Sequence, residues 1–291
     1  MCFVKYRCTK SNATGPPGAA VPIDQDVPPL WDTTDSASAF EPADWFAYCS
    51  RVNGRDVPAV PALAVQSVIN EPLADIHLKL VEDRYGVRRD DFTLAGHPFA
   101  TFQHAGREIV LAASAKGSYA AGGLDELIAL GARRVVLLNV GGALGDEPQV
   151  GDLVVVDAAL RDEGVSFHYQ APSRYAHPSA ELAGRVEAAA RQSARQVFTG
   201  AAWSTTAHFR LSLKRLRAFR AEGCLAIENE AAAAFSVGHY RKADVACLLH
   251  IGLTLRSDRF EVPSAASAIY GPAEAEAQLD IALAALVANP E

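Results

Sequence analysis

The sequence predicts an α/β fold with a central sheet, and three observations carry that prediction. Val/Leu-rich runs at Val135–Val140, Leu153–Val156 and Val245–Ile251 have the continuous apolar character of strands buried on both faces. Helical segments alternate with them, the order that packs helices against a sheet. Between Gly131 and Ala234 one apolar strand enters a Gly-Gly turn, and a later strand delivers two carboxylates to a helix start. That layout suits a small-molecule site, because ligands of open α/β sheets sit beyond the carboxyl ends of the strands.

Taken in order, residues 1 to about 40 are rich in Pro, Gly, Ser, Thr and Asp and read as a flexible extension. An amphipathic piece at Glu41–Arg51 brings Trp45, Phe46 and Tyr48 to dock on the body. The expected division is an N-terminal extension over 1–58, partly flexible, and one domain over 59–291. Strands are expected at Ala62–Ile69 and Glu108–Ser114, the second leading through Ala115-Lys116-Gly117 to a helix at Gly123–Leu130. After the strands at Val135–Val140 and Leu153–Val156 comes a helix at Glu181–Arg195 with Ala and Val on one face. Val197–Ala201, Leu225–Glu228 and Val245–Ile251 are further strands, and helices at Glu230–Gly238 and Ala273–Val287 complete the set.

At 291 residues, 49% hydrophobic and 21% charged, the chain can bury a sizeable core. A net charge of -7 leaves no basic surplus to neutralise phosphates, which argues against nucleic acid as a partner. Lys214, Arg215, Arg217 and Arg220 fall on one helix and read as a solvated face. The five cysteines are scattered without CxxC spacing, so neither a disulfide framework nor a metal site is expected; Cys224 and Cys247 read as core thiols in apolar strands. The opening MCFVKYRCTK is followed by no apolar h-region. No apolar run approaches the ~20 residues of a membrane span, so a cytoplasmic protein with no membrane partner is expected.

Five blocks occur in order: a Gly-rich turn at Ser114–Gly123, LDELIALGARR, NVGGAL…VGDLVV, WSTTAHFR and GCLAIENEAAAAF. Over roughly residues 60–288 they resemble the nucleoside phosphorylase superfamily, of the purine nucleoside and uridine phosphorylase type. The resemblance implies a single domain whose central mixed, partly barrel-like sheet is flanked by helices. It also implies a small nucleoside-like ligand, no cofactor, and a homo-oligomer in which a neighbour completes the site. Such enzymes pass through an oxocarbenium-like transition state, so they must hold the ribose, stabilise the departing base and position the nucleophile.

For the ribose, the family's Glu-Met-Glu corresponds to Glu228-Asn229-Glu230. Glu230 matches the residue that grips ribose hydroxyls, while Asn229 replaces the Met under the sugar and alters the ligand face. The structural alternative is that Glu228 and Glu230 only favour a helix N-terminus by their charge. For the base, the Asp that protonates a departing purine falls at Leu253, and Asp258 reaches that place only through a gap of five residues. Related sequences carry Asp where Thr206 stands, whereas Phe209 matches an aromatic that packs on the base. For phosphate, Leu137 stands at the Arg position of the strand, and PALAVQSVINEP lacks the Gly-Asp-Pro loop, so the charge-assisted clamps are missing.

Lys116 is gained in the turn that faces phosphate in the family, as an anion binder, base or nucleophile, against the plainer alternative of a solvated loop lysine. The expected site therefore has Lys116 and Glu230 as catalytic residues, with Asn139, Gly141, Gly142, Thr206, His208, Phe209, Glu228 and Asn229 binding ligand. His250 reads as a hydrogen-bonded core residue, and His168 fits either role. The leading expectation is a reworked enzyme, of glycosyl-transfer, N-glycosidase or repurposed biosynthetic type, acting on a nucleoside-like or other polar small molecule without ordinary phosphorolysis. Its rivals are a non-catalytic ligand-binding or partner subunit, and a true phosphorylase that uses Asp258.

Overall fold

In the computed structural model, which describes residues 38–54, 56–68, 75–256, 259–261 and 269–288, two long parallel strands form the spine. These are β5 (Arg134–Ala143) and β10 (Asp244–Arg256), longer than the apolar runs that announced them. With β6 (Leu153–Arg161), β8 (Val197–Ser204) and β9 (Ala226–Glu228) they close a ring, paired β5–β10–β6–β8–β9–β5. An open wing leaves β5 through β1 (Leu63–Val68), β4 (Arg107–Ala113), β3 (His97–His104) and β2 (Thr93–Leu94). Parallel and antiparallel pairs mix: β1 is parallel to β4 and β5, whereas β9 meets β5 and β6 meets β10 antiparallel. Short strands β7 (Tyr175–Ala176) and β11 (Arg259–Glu261) pair with β6 and β10. The expected mixed, partly barrel-like sheet flanked by helices is the one observed.

Alternation along β5 divides the core. Val135 and Leu137 face a cluster with α3 (Ser118–Ala129) and α6 (Ala231–Arg241), while Val136 and Leu138 face α2 (Ile76–Tyr85), α4 (Ala180–Arg191) and α7 (Pro272–Val287). Burying each such side chain stabilises the fold by roughly 1.5–3 kcal/mol, which is why β5 tolerates so few polar residues. A third cluster, built on Trp203, Leu216, Phe219 and Ile227, is covered by α5 (Leu213–Ala221). Helix α1 (Pro42–Asn53) is pinned by Arg241, which pairs with Glu41 and Asp125 at 2.6 Å each, and by buried Phe46 against Phe92.

Some expectations need correction. Gly141 and Gly142 lie inside β5 and make no turn; a Cβ on Gly141 would meet the Ile227 carbonyl oxygen at 2.8 Å, so glycine lets β9 approach. Helix α3 starts at Ser118, five residues before the expected Gly123, because Gly117 (φ 66°, ψ −139°) turns the chain out of β4. Helix α4 ends at Arg191, where the Ser193 hydroxyl bonds the Ala190 carbonyl at 2.7 Å. Cys224 is buried but precedes β9, so of these two expected strand thiols Cys247 alone lies in a strand. The basic helix is not wholly solvated either, for Arg220 turns inward to the main-chain carbonyls of Leu144 and Leu255. Helix α2 and strand β3 were not foreseen: a buried His77 interrupts the apolar stripe of α2, and β3 opens on His97-Pro98. The extension expected over 1 to about 40 lies, up to residue 37, outside the described residues. Among the described residues no helix is long and apolar enough to cross a membrane.

Candidate active site

The site forms where β5, β9 and β10 reach their carboxyl ends. Strand β9 stops at Glu228, and α6 begins three residues later at Ala231, so the first amides of α6 need acceptors from outside the helix. Glu228 Oε2 accepts from the N–H groups of Glu230 (2.6 Å) and Ala231 (2.7 Å). Ser204, the last residue of β8, accepts from Ala232 N at 3.0 Å and donates to Glu228 Oε1. Part of the work of Glu228 is therefore to start a helix, as the structural alternative holds.

Glu230 lies against it, 1% exposed. Its Oε1 accepts from Gly117 N at 2.6 Å, and its Oε2 accepts from Asn139 Nδ2 at 2.7 Å and Asn229 N at 3.1 Å. The Asn139 amide also reaches Glu228 Oε2 at 3.3 Å, so one fully buried amide bridges both carboxylates. Burial first, and the neighbouring Glu230 second, push the Glu228 carboxyl well above its usual range; bonds from Ser204 and from the Glu230 and Ala231 amides pull the other way. Asn229, with its amide nitrogen toward the main chain, donates to the carbonyls of Glu228 (3.3 Å) and Thr205 (2.5 Å).

Above this floor opens a cleft of about 460 Å³. Of the expected residues, Lys116, Gly141, Gly142, His208, Phe209, Glu228 and Asn229 line it. Asn139 and Glu230 lie beneath the floor, with the Glu230 oxygens turned to protein donors, and do not line the cleft. Thr206 does not line it either: its hydroxyl is 3.5 Å from the Glu163 carbonyl, and its methyl packs beside Gly117. Lys116 is exposed and makes no hydrogen bond or ion pair among the described residues. Phe209 stands on the rim, 92% exposed, its ring 4.3 Å from that of His208. His168 is exposed at the end of a short 3-10 turn, away from the cleft lining. His250 is buried, bonded to the Ile269 carbonyl at 3.1 Å and pushed down to about 4 by burial.

Leu253 forms cleft wall, and Leu137 is fully buried in hydrocarbon, so neither supplies a proton or a positive charge. Asp258 lies outside the described residues. Sequence reasoning did not find Leu211, Leu213, Leu216, Ile227 and Leu255 as cleft residues. The three-residue spacing of Leu213 and Leu216 marks an apolar stripe on α5, but not what it faces. A larger cleft, about 660 Å³, lies between α1 and the β2–β3 turn, walled by Trp45, Tyr48 and Glu126. It contains none of the expected site residues, so the chemistry is assigned to the smaller one. Among the described residues no group of three His, Cys, Asp or Glu side chains is placed to hold a metal ion.

Comparison with known proteins is consistent with this geometry. The model of the phosphorylase superfamily matches residues 62–287. A uridine phosphorylase from Vibrio fischeri ES114 shares the fold at a TM-score of 0.65 and 20% identity, over 78% of this chain and 92% of its own. The same organism's uridine phosphorylase complexed with 6-hydroxy-1-naphthoic acid gives 0.65 and 19%, over 77% and 91%. Among curated proteins no sequence matches.

Proposed function

Since the chain belongs to the phosphorylase superfamily, we propose that it is an enzyme that cleaves or rearranges a hydroxylated, nucleoside-like small molecule without using phosphate. The observation that carries this is the pair of buried carboxylates, Glu228 and Glu230, bridged by the Asn139 amide at the floor of the cleft. A carboxyl whose proton affinity is raised by burial is suited to give a proton to a departing group. Glu228 is assigned that role, with Asn229 beside it to meet ligand hydroxyls and Lys116 at the mouth for an anionic group. Water is the co-substrate of choice, because the strand position that would carry a phosphate-binding Arg is the buried Leu137.

The test is turnover of a panel of nucleosides and of ribosides with aryl aglycones in phosphate-free buffer and again with added phosphate. Release of free base or aglycone should be independent of phosphate, and Glu228→Gln should lower it at least about 100-fold, the usual scale for a lost general acid. A requirement for phosphate, with ribose 1-phosphate as product, would instead support a true phosphorylase, and Asp258→Asn should then abolish it.

One observation favours a second reading, a ligand-binding or partner subunit without catalysis. Both Glu230 oxygens are taken up by protein N–H groups, so engaging ligand hydroxyls requires Gly117 to release Glu230. Binding without product release in the same assays would select it. The proposal keeps residues 59–291 as the functional domain, preceded by an extension, in a cytoplasmic homo-oligomer. A monomer by light scattering would remove the shared-pocket part of this view.

A further inference from the structure

Resting on the preceding proposal and narrowing it, we infer that the cleft takes a molecule with an apolar aryl or alkyl body and one anionic group, in place of a hydrogen-bonding nucleobase. The lining divides into two chemistries. Among the described residues, Lys116, His208, Glu228 and Asn229 are its polar and charged side chains. Leu211, Leu216, Ile227, Leu253 and Leu255 belong to one hydrocarbon cluster, backed by Trp203 and Phe219. No side chain of that wall carries a donor or acceptor, and the Leu255 carbonyl is already engaged by Arg220 at 2.6 Å.

A nucleobase whose polar edge is turned to such a wall gives up hydrogen bonds to water there and receives none from the wall. Among the described cleft-lining residues, His208 is the one imidazole able to return such a bond. Each buried group left unpaired weakens binding by roughly tenfold or more. An aryl or alkyl group loses nothing there and gains the burial of its own surface. On the rim, Phe209 and Leu213 are 92% and 47% exposed, and both face the cleft. A ligand ring laid against them covers apolar surface that water otherwise meets.

The anionic group follows from charge. Lys116 is the only Lys or Arg among the described cleft-lining residues, and it makes no ion pair among the described residues. Both carboxyl groups are engaged by protein donors, Glu230 by the Gly117 amide and Glu228 by the amides of Glu230 and Ala231, so the Lys116 charge is available at the mouth. An anion carried by an apolar body meets Lys116 while the body lies along the leucines.

The experiment is a fluorescence titration of the full-length protein with 2-naphthoate, with the uncharged 2-naphthalenemethanol, and by competition with uridine and inosine. Naphthoate should bind more tightly than either nucleoside, and more tightly than the alcohol. Lys116→Ala should weaken naphthoate about tenfold, as for a lost charged hydrogen bond, and leave the alcohol unchanged. Leu213→Ser, at a half-exposed position that the fold tolerates, should weaken naphthoate and alcohol alike by several-fold. Tighter binding of uridine or inosine overturns the inference while leaving the proposed reaction standing. Naphthoate binding that ignores both substitutions, or no binding at all, also overturns it. The turnover assay with Glu228→Gln decides separately whether the proposed reaction falls.

Discussion

Two sets of buried polar side chains meet at Asn139, and they are built on opposite electrostatic terms. On the side of α2 and α7, Ser67 bonds His77 Nδ1 (2.7 Å), His77 Nε2 bonds the Tyr270 hydroxyl (2.9 Å), and Tyr270 donates to Gln278 Oε1 (2.6 Å). Gln278 Nε2 then donates to the carbonyls of Asn139 and Leu248, both at 3.1 Å. The Gln278 oxygen can only accept, so every proton in the chain is assigned: Tyr270 accepts from His77, and His77 accepts from Ser67. All four side chains are at most 2% exposed, and each is neutral with its donor matched.

On the side of α6, the Asn139 side chain stands between two carboxyl groups that repel each other. Both sets satisfy their hydrogen bonds, so satisfaction alone does not mark a site. The neutral chain is scaffold that fixes β5. In the carboxyl pair, burial and the neighbouring Glu230 push the Glu228 carboxyl above its usual range, which is the property the proposed proton donor needs.

The largest expected effect tests whether charge is the difference. Asn139→Asp puts a third carboxyl where the bridging amide was, and should cost on the order of 3–5 kcal/mol at neutral pH. Denaturant titration should show the loss shrinking as pH falls; a loss equal at every pH breaks the comparison. Next, Gln278→Leu strands two main-chain carbonyls and the Tyr270 hydroxyl and should cost about 2 kcal/mol. Because that region is neutral, the cost should stay level between about pH 5 and 8.

The pH dependence of wild-type stability sharpens the contrast, since the two regions act with opposite sign. Burial lowers His77 from 6.5 to about 3, so its contribution is present above the ordinary value and lost as pH falls through that window. Burial and Glu230 raise Glu228 above 4.5, so its contribution is present below that value and lost as pH rises toward its folded-state value. His77→Asn should flatten the acid limb of melting temperature against pH, and Glu228→Gln the limb on the rising side. The smallest effect belongs to the rim: Lys116→Ala should change stability by no more than about 0.5 kcal/mol in a thermal melt. A larger loss would mean that Lys116 supports the fold and is not reserved for ligand.

Strand positions were legible because Val135–Leu138 must be apolar on both faces, and the carboxylate motif because Glu228 and Glu230 flank one residue at a helix start. The bridge between them was not, since Asn139 is 91 residues from Glu230 and gives no local sign of its partner. Gly141 and Gly142 misled for a similar reason. Glycine signals freedom to turn, and only the approach of β9 shows that here it supplies room.

The sequence by itself determined the α/β class, most strand and helix positions and the cluster of residues from which the site is drawn, because those depend on local apolar period and short motifs. The tertiary structure alone decided that β10 pairs back on β5 to close the ring, and that α5 lays leucines along the cleft. It alone decided that Glu228 and Asn229 face that cleft while Glu230 turns beneath it. Those outcomes depend on contacts between distant segments, where burial and the demand that each buried donor find an acceptor select one arrangement among many that the local sequence permits.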